Sequence, residues 1–110
     1  MRVLFVCTAN VARSPMAEAV FRELTAHREH EARSAGVSQS ATRPLTTRDM
    51  AWADLVAVME DAHLAVIRRR WPRHLRKVRV LDVPDDYEPA EPELRELLEE
   101  RIRTLLADLF

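Results

Sequence analysis

The chain opens with a short, almost continuous apolar run, Val3-Leu4-Phe5-Val6-Cys7, which limits its possible folds more than any other feature. An unbroken apolar run of this length is typical of a strand covered on both faces, as the strands of parallel sheets are. Parallel strands are joined by crossover connections that usually contain a helix. The run therefore predicts an α/β fold.

The rest of the chain alternates between extended and helical patterns. Ser14 followed by Pro15 predicts an N-cap and a first helical residue, and Thr46 with Asp49 predicts a capping box. These patterns predict a single three-layer domain over residues 1–110, with a four-stranded parallel sheet flanked by helices. Strands are expected at 2–7, 32–35, 55–59 and 78–83, and helices at 16–28, 46–53, 61–70 and 94–109.

Composition excludes several classes of protein. The chain is 47% hydrophobic with a net charge of -1, which gives no overall attraction to nucleic acid or to a membrane surface. Its one cysteine cannot form an intramolecular disulfide and suits a reducing compartment. No stretch approaches the roughly 20 apolar residues that a membrane span needs. A cytoplasmic protein without a membrane segment is expected.

The segment from Cys7 to Ser14 carries the main chemical signal. Cys7 ends the first predicted strand, and Arg13 stands just before the first predicted helix. A loop in this position can turn several backbone N–H groups toward one anion, and an arginine can hold two phosphate oxygens. The same positive field would favour the nucleophilic thiolate of Cys7. The pattern predicts a phosphate-binding loop after the first strand, with a nucleophilic sulfur beside it.

Simpler interpretations of these residues stay open at this stage. Cys7 could be only a small apolar residue at the end of a strand. Ser14 could be only a helix cap, or its hydroxyl could also bond the Cys7 sulfur. The spacing from Cys7 to Arg13 means little alone, because the chain is rich in arginine. Asn10 is the residue type that best tolerates a left-handed backbone within such a loop.

The attack of a thiolate on a phosphate ester also needs a proton for the departing oxygen, which a carboxylic acid can supply. Asp82, Asp85 and Asp86 follow the last predicted strand. Because the carboxyl ends of parallel strands lie at one edge of a sheet, this loop is expected to face the same pocket as the loop after Cys7. Each aspartate taken singly is more often a turn residue.

With these residues considered, the sequence resembles the low-molecular-weight protein tyrosine phosphatase family. The resemblance is carried by residues 3–7, Asn10, Arg13-Ser14-Pro15, Ala17-Glu18, Ser34-Ala35-Gly36, Ala53-Asp54-Leu55, Val58-Met59, His63 and the segment 85–87.

The resemblance implies roles for individual residues. Cys7 would be the nucleophile, Arg13 the phosphate clamp and Ser14 the partner of the thiolate. Asp85 would be the acid, with Asp86 as the alternative. The residues implied to bind the substrate are Thr8, Ala9, Asn10, Val11, Ala12, Ser14 and Tyr87.

Four departures from the family pattern bear on specificity. Ala9 replaces the usual glycine, and Ala12 replaces a second loop cysteine, so an oxidised Cys7 would need an outside thiol to recover. Glu88 replaces a second aromatic residue after the acid. The chain is also short between Gly36 and Leu45, where the family carries a substrate-facing loop.

The sequence thus predicts a phosphomonoesterase that acts through a phosphocysteine without a metal or other cofactor. Its expected substrate is a phosphotyrosine protein or a small aryl phosphate. One alternative is a non-catalytic phosphate-binding module. The other is an arsenate reductase, which would need an external thiol. The oligomeric state stays open.

A basic segment between Arg68 and Arg79 suggests a different kind of binding site. No acidic residue occurs from Ala62 to Leu81, whereas seven residues between Arg68 and Arg79 are basic. An acidic partner, or nucleic acid stacked on Trp71, is one interpretation. A solvated face is the expected one, so nucleic acid is not predicted as a partner. Trp52 is expected in the core.

Overall fold

The structure is a computed structural model that describes residues 1–109. Its strands form one parallel sheet in the order β2-β1-β3-β4, so the predicted four-stranded parallel sheet is confirmed. The strands are β1 (Arg2–Cys7), β2 (Glu31–Gly36), β3 (Leu55–Val58) and β4 (Val78–Val80). The helices are α1 (Arg13–Leu24), α2 (Thr47–Trp52), α3 (Asp61–Arg70) and α4 (Pro92–Leu109), and a 3₁₀ helix covers Pro72–Lys77.

Helices cover both faces of the sheet. Along β1, Val3, Phe5 and Cys7 point into a core shared with α1 and α4. The intervening Leu4 and Val6 point into a second core shared with α2 and α3. Both sets are buried because successive side chains of a strand alternate between the two faces. The unbroken apolar run at the start of the chain therefore forms the centre of a three-layer structure.

The order of the strands reverses at β1, which separates the two loops at one edge of the sheet. The chain passes from β1 to β2 on one side and then crosses back to β3 on the other side of β1. The loops after β1 and β3 therefore leave the same edge of the sheet and diverge, which is where parallel α/β sheets place their ligands.

The expected start of α1 was wrong. Ser14 is not the N-cap, since the helix begins at Arg13 and Ala12 holds the cap position without a side-chain bond. The Ser14 hydroxyl is instead occupied by contacts with Cys7, Asn10 and the Ala35 carbonyl. Pro15 is still tolerated as the third helical residue, because N–H groups of the first turn have no partner within the helix.

Two element ends also differ from expectation, whereas one cap is confirmed. The helix α1 ends at Leu24, not near Arg28, where the Thr25 hydroxyl bonds the Phe21 carbonyl at 2.7 Å. The strand β4 ends at Val80, and Asp82 then adopts a left-handed backbone with φ of 60°. The capping box of Thr46 and Asp49 is present as predicted.

The two tryptophans differ from expectation, since Trp52 was expected in the core and Trp71 was considered as an exposed stacking surface. Trp52 is only half-buried: it packs against the edge of the second core, and the Arg33 guanidinium lies 4.1 Å from the centre of its ring. Trp71 is buried instead, and its indole N–H donates to the Thr47 hydroxyl at 2.9 Å. Trp71 therefore offers no open ring for stacking with nucleic-acid bases.

The basic segment lies on the end of α3 and the following 3₁₀ helix, and most of its side chains are exposed. Within residues 1–109, none of its seven cations has a carboxylate oxygen within 4.0 Å. Burial lowers the pKa of His74, and the positive charges of Lys77, Arg76 and Arg73 lower it as well. None of the helices in the described chain has the length and apolar character needed to cross a membrane.

Gly36, at the end of β2, lies against the loop that follows β1. A Cβ atom at this position would lie 2.5 Å from the Thr8 carbonyl oxygen, 2.6 Å from the Ala41 Cβ and 3.0 Å from the Asn10 nitrogen. Two of these atoms belong to backbone, which cannot move aside as a flexible side chain can. Only glycine therefore allows this close approach.

We expect Gly36→Ala to lower the free energy of unfolding by about 1–3 kcal/mol, because the added methyl group must displace the loop backbone. Urea unfolding would measure this change. Adding Ala41→Gly to the variant should recover part of the loss, since it removes one of the three contacts. A Gly36→Ala protein as stable as the wild type would contradict the proposed close packing.

Candidate active site

The loop between β1 and α1 is held by the segment that follows β2. The carbonyl oxygens of Cys7, Thr8 and Ala9 accept hydrogen bonds from the backbone N–H groups of Val37, Ser38 and Thr42, at 2.9–3.0 Å. In a trans peptide the N–H points opposite to the carbonyl. The N–H groups of residues 8–10 are therefore turned away from that segment, and that of Asn10 points to the Cys7 sulfur at 3.3 Å.

The Cys7 sulfur has a hydroxyl partner that can serve both of its protonation states. Its Sγ lies 3.0 Å from Ser14 Oγ, which also lies 3.3 Å from the Ala35 carbonyl oxygen. A thiolate only accepts, so the single Ser14 hydrogen would then point to the sulfur. A neutral thiol can donate to Ser14, whose own hydrogen then goes to Ala35. Either form of Cys7 is thus satisfied by hydrogen bonds.

Asn10 fixes the shape of this loop. Its φ of 56° places it in the left-handed region that the sequence predicted for this residue type. Its side-chain amide donates to Ser14 Oγ at 2.8 Å. The side chains of Asn10 and Ser14 are both buried behind the sulfur. They therefore order the Cys7 side chain and are not among the residues that line the cavity in front of it.

The Arg13 guanidinium is buried, with 3% of its side chain exposed. Its Nη1 donates to the Glu60 carboxylate and to the Val83 carbonyl oxygen, the latter at 3.0 Å. Its Nη2 makes a long hydrogen bond of 3.5 Å to the Thr8 hydroxyl. Of the five guanidinium hydrogens, the Nε–H and one Nη2–H have no hydrogen-bond partner within residues 1–109. These two can hold an anion in the planar, bidentate manner of arginine.

Glu60 and His63 belong to this site, although sequence reasoning gave them no role there. Glu60 lies directly before α3, so the carboxyl end of β3 brings its side chain to Arg13. Glu60 and His63 cap α3 reciprocally, and the His63 Nδ1 accepts from the Glu60 backbone N–H at 3.0 Å. An acidic residue at the end of a strand next to β1 was the one signal that could have indicated Glu60.

His63 is buried and neutral. Burial and, after it, the nearby Arg13 cation lower the pKa of His63 from 6.5 to about 4, although Glu60 and Asp85 act in the opposite direction. Because Nδ1 accepts a hydrogen bond from backbone, the ring hydrogen sits on Nε2. That nitrogen lies 2.9 Å from the Thr8 hydroxyl, to which it therefore donates.

A cavity of about 190 Å³ opens in front of the sulfur. Asp85 reaches it from the loop after β4, and its Oδ1 lies 3.8 Å from the Arg13 Nε. Asp82 and Asp86 are exposed and do not line the cavity. Pro89, which the sequence did not suggest, forms part of the wall. The lining residues are Cys7, Thr8, Ala9, Val11, Ala12, Arg13, Asp85, Tyr87 and Pro89.

Within residues 1–109, no group of three or more His, Cys, Asp or Glu side chains is arranged to hold a metal ion. The residues with polar side chains that line the cavity are Cys7, Thr8, Arg13, Asp85 and Tyr87. This set combines one nucleophile, one anion-binding cation and one group able to give or take a proton.

Comparisons with known proteins agree with this geometry. A family model described as low molecular weight phosphotyrosine protein phosphatase matches residues 2–48. A low molecular weight protein-tyrosine-phosphatase of Streptomyces coelicolor is 34% identical, over 89% of this chain and 85% of that protein. The chain belongs to the low-molecular-weight protein tyrosine phosphatase family. The predicted membership in this family is thereby confirmed.

Members with different substrates appear among the relatives. A protein-arginine-phosphatase of Bacillus subtilis is 36% identical, over 71% of this chain and 68% of that protein. The solved structure of a YwlE arginine phosphatase, with serine in place of the active-site cysteine and a phosphate on that serine, superposes with a TM-score of 0.82. It is 30% identical and covers 99% of this chain and 95% of the other. Membership in the family therefore leaves the substrate to be argued from the cavity.

The lowered pKa of His63 gives a testable dependence of stability on pH. An unfolded His63 takes up a proton near pH 6.5, whereas the folded one does so only near pH 4. The unfolded state thus binds more protons between these values, and stability is lost as the pH falls from 6.5 to 4, by at most about 3 kcal/mol.

Replacing His63 by Gln should make the free energy of unfolding less dependent on pH in this range, as followed by urea unfolding at several pH values. His27→Gln, at an exposed position, serves as the matched control and should keep the wild-type dependence. An unchanged slope in His63→Gln would show that the buried imidazole does not resist protonation.

Proposed function

We propose that residues 1–110 form one catalytic unit, a phosphomonoesterase in which Cys7 is the nucleophile and a phosphocysteine is the intermediate. The observation that supports this best is the convergence of two donors, Asn10 N–H and the Ser14 hydroxyl, on a sulfur at the floor of the cavity. Arg13 lines the same cavity and can add one Nη2–H and its Nε–H, which lies 3.8 Å from the Asp85 carboxylate. A thiolate and a phosphate dianion repel each other, so these donors are needed to hold both.

The reaction has two displacements. The Cys7 thiolate attacks phosphorus, the S–P bond forms, and the bond from phosphorus to the ester oxygen breaks. The departing oxygen takes a proton from the Asp85 carboxylic acid. Water then attacks the phosphocysteine and gives its proton back to Asp85, while the S–P bond breaks to release inorganic phosphate and the thiolate. No electron transfer or outside reactant besides water is needed.

The cavity walls favour an aryl phosphate as substrate, either a phosphotyrosine side chain or a small molecule. Val11 is 53% exposed, although it is apolar, and it lines the cavity together with Tyr87 and Pro89. These surfaces suit the faces and edges of a phenyl ring. A phosphoarginine side chain carries N–H donors that need acceptors, and Val11 offers none. The relative named protein-arginine-phosphatase makes phosphoarginine the natural competitor to test.

The presence of a single cysteine in the sequence favours a cytoplasmic location. No second cysteine exists in the chain to protect an oxidised Cys7 by forming a disulfide. The thiol would then depend on the reducing compounds of the cytoplasm to stay active. The same feature argues against arsenate reduction, which needs further thiols to pass electrons along.

We expect the purified protein to release phosphate from phosphotyrosine at least about ten times faster, in kcat/KM, than from phosphoarginine. Cys7→Ser should lower kcat at least about a thousand-fold, since the weakly nucleophilic hydroxyl replaces the thiolate. Release of inorganic phosphate measures both. A protein that binds vanadate but releases no phosphate would be a non-catalytic binding module. A preference for phosphoarginine would refute the aryl assignment.

Asp85 and Asp86 provide a matched pair of variants. Asp85→Asn should lower kcat about 100- to 1000-fold with phenyl phosphate, because the departing phenoxide needs a proton. With 4-nitrophenyl phosphate, whose leaving group is far less basic, the loss should be smaller. Asp86→Asn, which alters an exposed neighbour outside the cavity, should stay near the wild-type rate. The reverse pattern would assign the acid to Asp86.

A further inference from the structure

No step of the proposed reaction uses the Thr8 side chain, although Thr8 lines the cavity. Its hydroxyl oxygen is 2.9 Å from the His63 Nε2 and 3.5 Å from the Arg13 Nη2. His63 is 98% buried, whereas Thr8 is exposed. The second ring nitrogen of His63, Nδ1, accepts a hydrogen bond from the Glu60 backbone N–H. A buried ring fixed at both nitrogens therefore contacts an exposed hydroxyl at the binding site.

The directions of these hydrogen bonds are determined. The His63 Nδ1 can only accept from the Glu60 N–H, so the Nε2–H donates to Thr8. The Arg13 Nη2–H, which has no lone pair to offer, also donates to Thr8. A hydroxyl oxygen has two lone pairs, and both are now used. The one remaining bonding capacity of Thr8 is its own hydrogen, which can only donate.

The Thr8 residue lies beside the place where Arg13 can hold an anion. Thr8 lines the same cavity as Arg13, and its hydroxyl oxygen is 3.5 Å from the Arg13 Nη2. The lining residues of the cavity include one hydroxyl group besides that of Tyr87, and it is that of Thr8. The natural acceptor for a hydroxyl held in donor orientation here is an oxygen of the bound phosphoryl group.

We propose that His63 is a positioning residue, which holds the Thr8 hydroxyl as a hydrogen-bond donor to a non-bridging oxygen of the bound phosphoryl group. The inference rests on the proposed function only in requiring a phosphate group at the loop. It adds a side-chain donor to the backbone N–H groups and Arg13. It also gives the buried His63 a function that helix capping alone does not require, since capping uses only Nδ1.

Two substitutions of His63 separate the cap from the contact with Thr8. In His63→Asn the amide oxygen can replace Nδ1 as acceptor for the Glu60 N–H, but the shorter side chain does not reach Thr8. In His63→Gln the amide nitrogen can reach Thr8, but the cap acceptor is displaced. If His63 acts through Thr8, phosphate affinity should follow the contact with Thr8. If His63 is merely structural, phosphate affinity should follow stability.

The test is a calorimetric titration of the full chain with inorganic phosphate at pH 7. Urea unfolding measures the stability of each variant in parallel. Thr8→Val should raise the Kd for phosphate about ten-fold, the effect of losing one hydrogen bond to a charged acceptor. Thr8→Ser should stay within about three-fold of the wild type, since it keeps the donor. His63→Asn should resemble Thr8→Val, and His63→Gln should bind phosphate more tightly than His63→Asn despite a weaker helix cap.

The double variant Thr8→Val with His63→Asn decides whether the two residues act together. It should bind phosphate no more weakly than Thr8→Val alone, because His63 then has no hydroxyl to position. Thr104→Val, on the exposed face of α4, is the matched control and should leave the Kd unchanged. Additive losses, or a Thr8→Val protein that binds phosphate like the wild type, would overturn this inference alone. A wild-type protein that binds no phosphate would overturn the proposed function and this inference with it.

Discussion

The buried guanidinium of Arg13 is the group on which the site and the fold both depend. A cation removed from water is tolerated only where charged and polar partners surround it. Here the partners come from three separate parts of the sheet edge: Glu60 after β3, the Val83 carbonyl after β4 and Thr8 after β1. These strands are neighbours and parallel, so their carboxyl ends reach Arg13 together. The order of the strands is thus what makes a buried arginine possible.

Alternation of side chains along β1 determines which of the two cores Cys7 joins. Cys7 lies at an alternate position of the strand with Val3 and Phe5, so its side chain points to the same face of the sheet, which α1 covers. Ser14, in the first turn of that helix, and Asn10 are therefore within reach of the sulfur. A shift of one residue in β1 would turn Cys7 to the opposite face, away from both partners. The short loop from β1 to α1 packs closely against β2, and glycine at position 36 leaves room for the backbone of Thr8 and Asn10.

The sequence was informative wherever a local pattern decides the structure. The apolar run of β1, the left-handed Asn10 and the capping box at Thr46 all follow from residue types and spacing. Reasoning from local patterns was wrong at Ser14, because tertiary contacts with Cys7 occupy the hydroxyl that would have capped α1. The partnership of Glu60 and His63 with the loop was not predicted, since it arises from the pairing of β1 with β3 and not from neighbours in the chain.

The charges around the cavity link binding of the substrate to the proposed proton transfer. Glu60 already balances the Arg13 cation, and His63 is neutral at pH 7, so an ionised Asp85 leaves the site with a surplus negative charge. A phosphate dianion entering beside it is repelled and must also compete for the Arg13 Nε. A protonated Asp85 adds no charge to that of the Cys7 thiolate, leaves the Arg13 Nε to the dianion and carries the hydrogen that the departing oxygen needs. The state of Asp85 that admits the dianion is therefore the same state that can act as the acid.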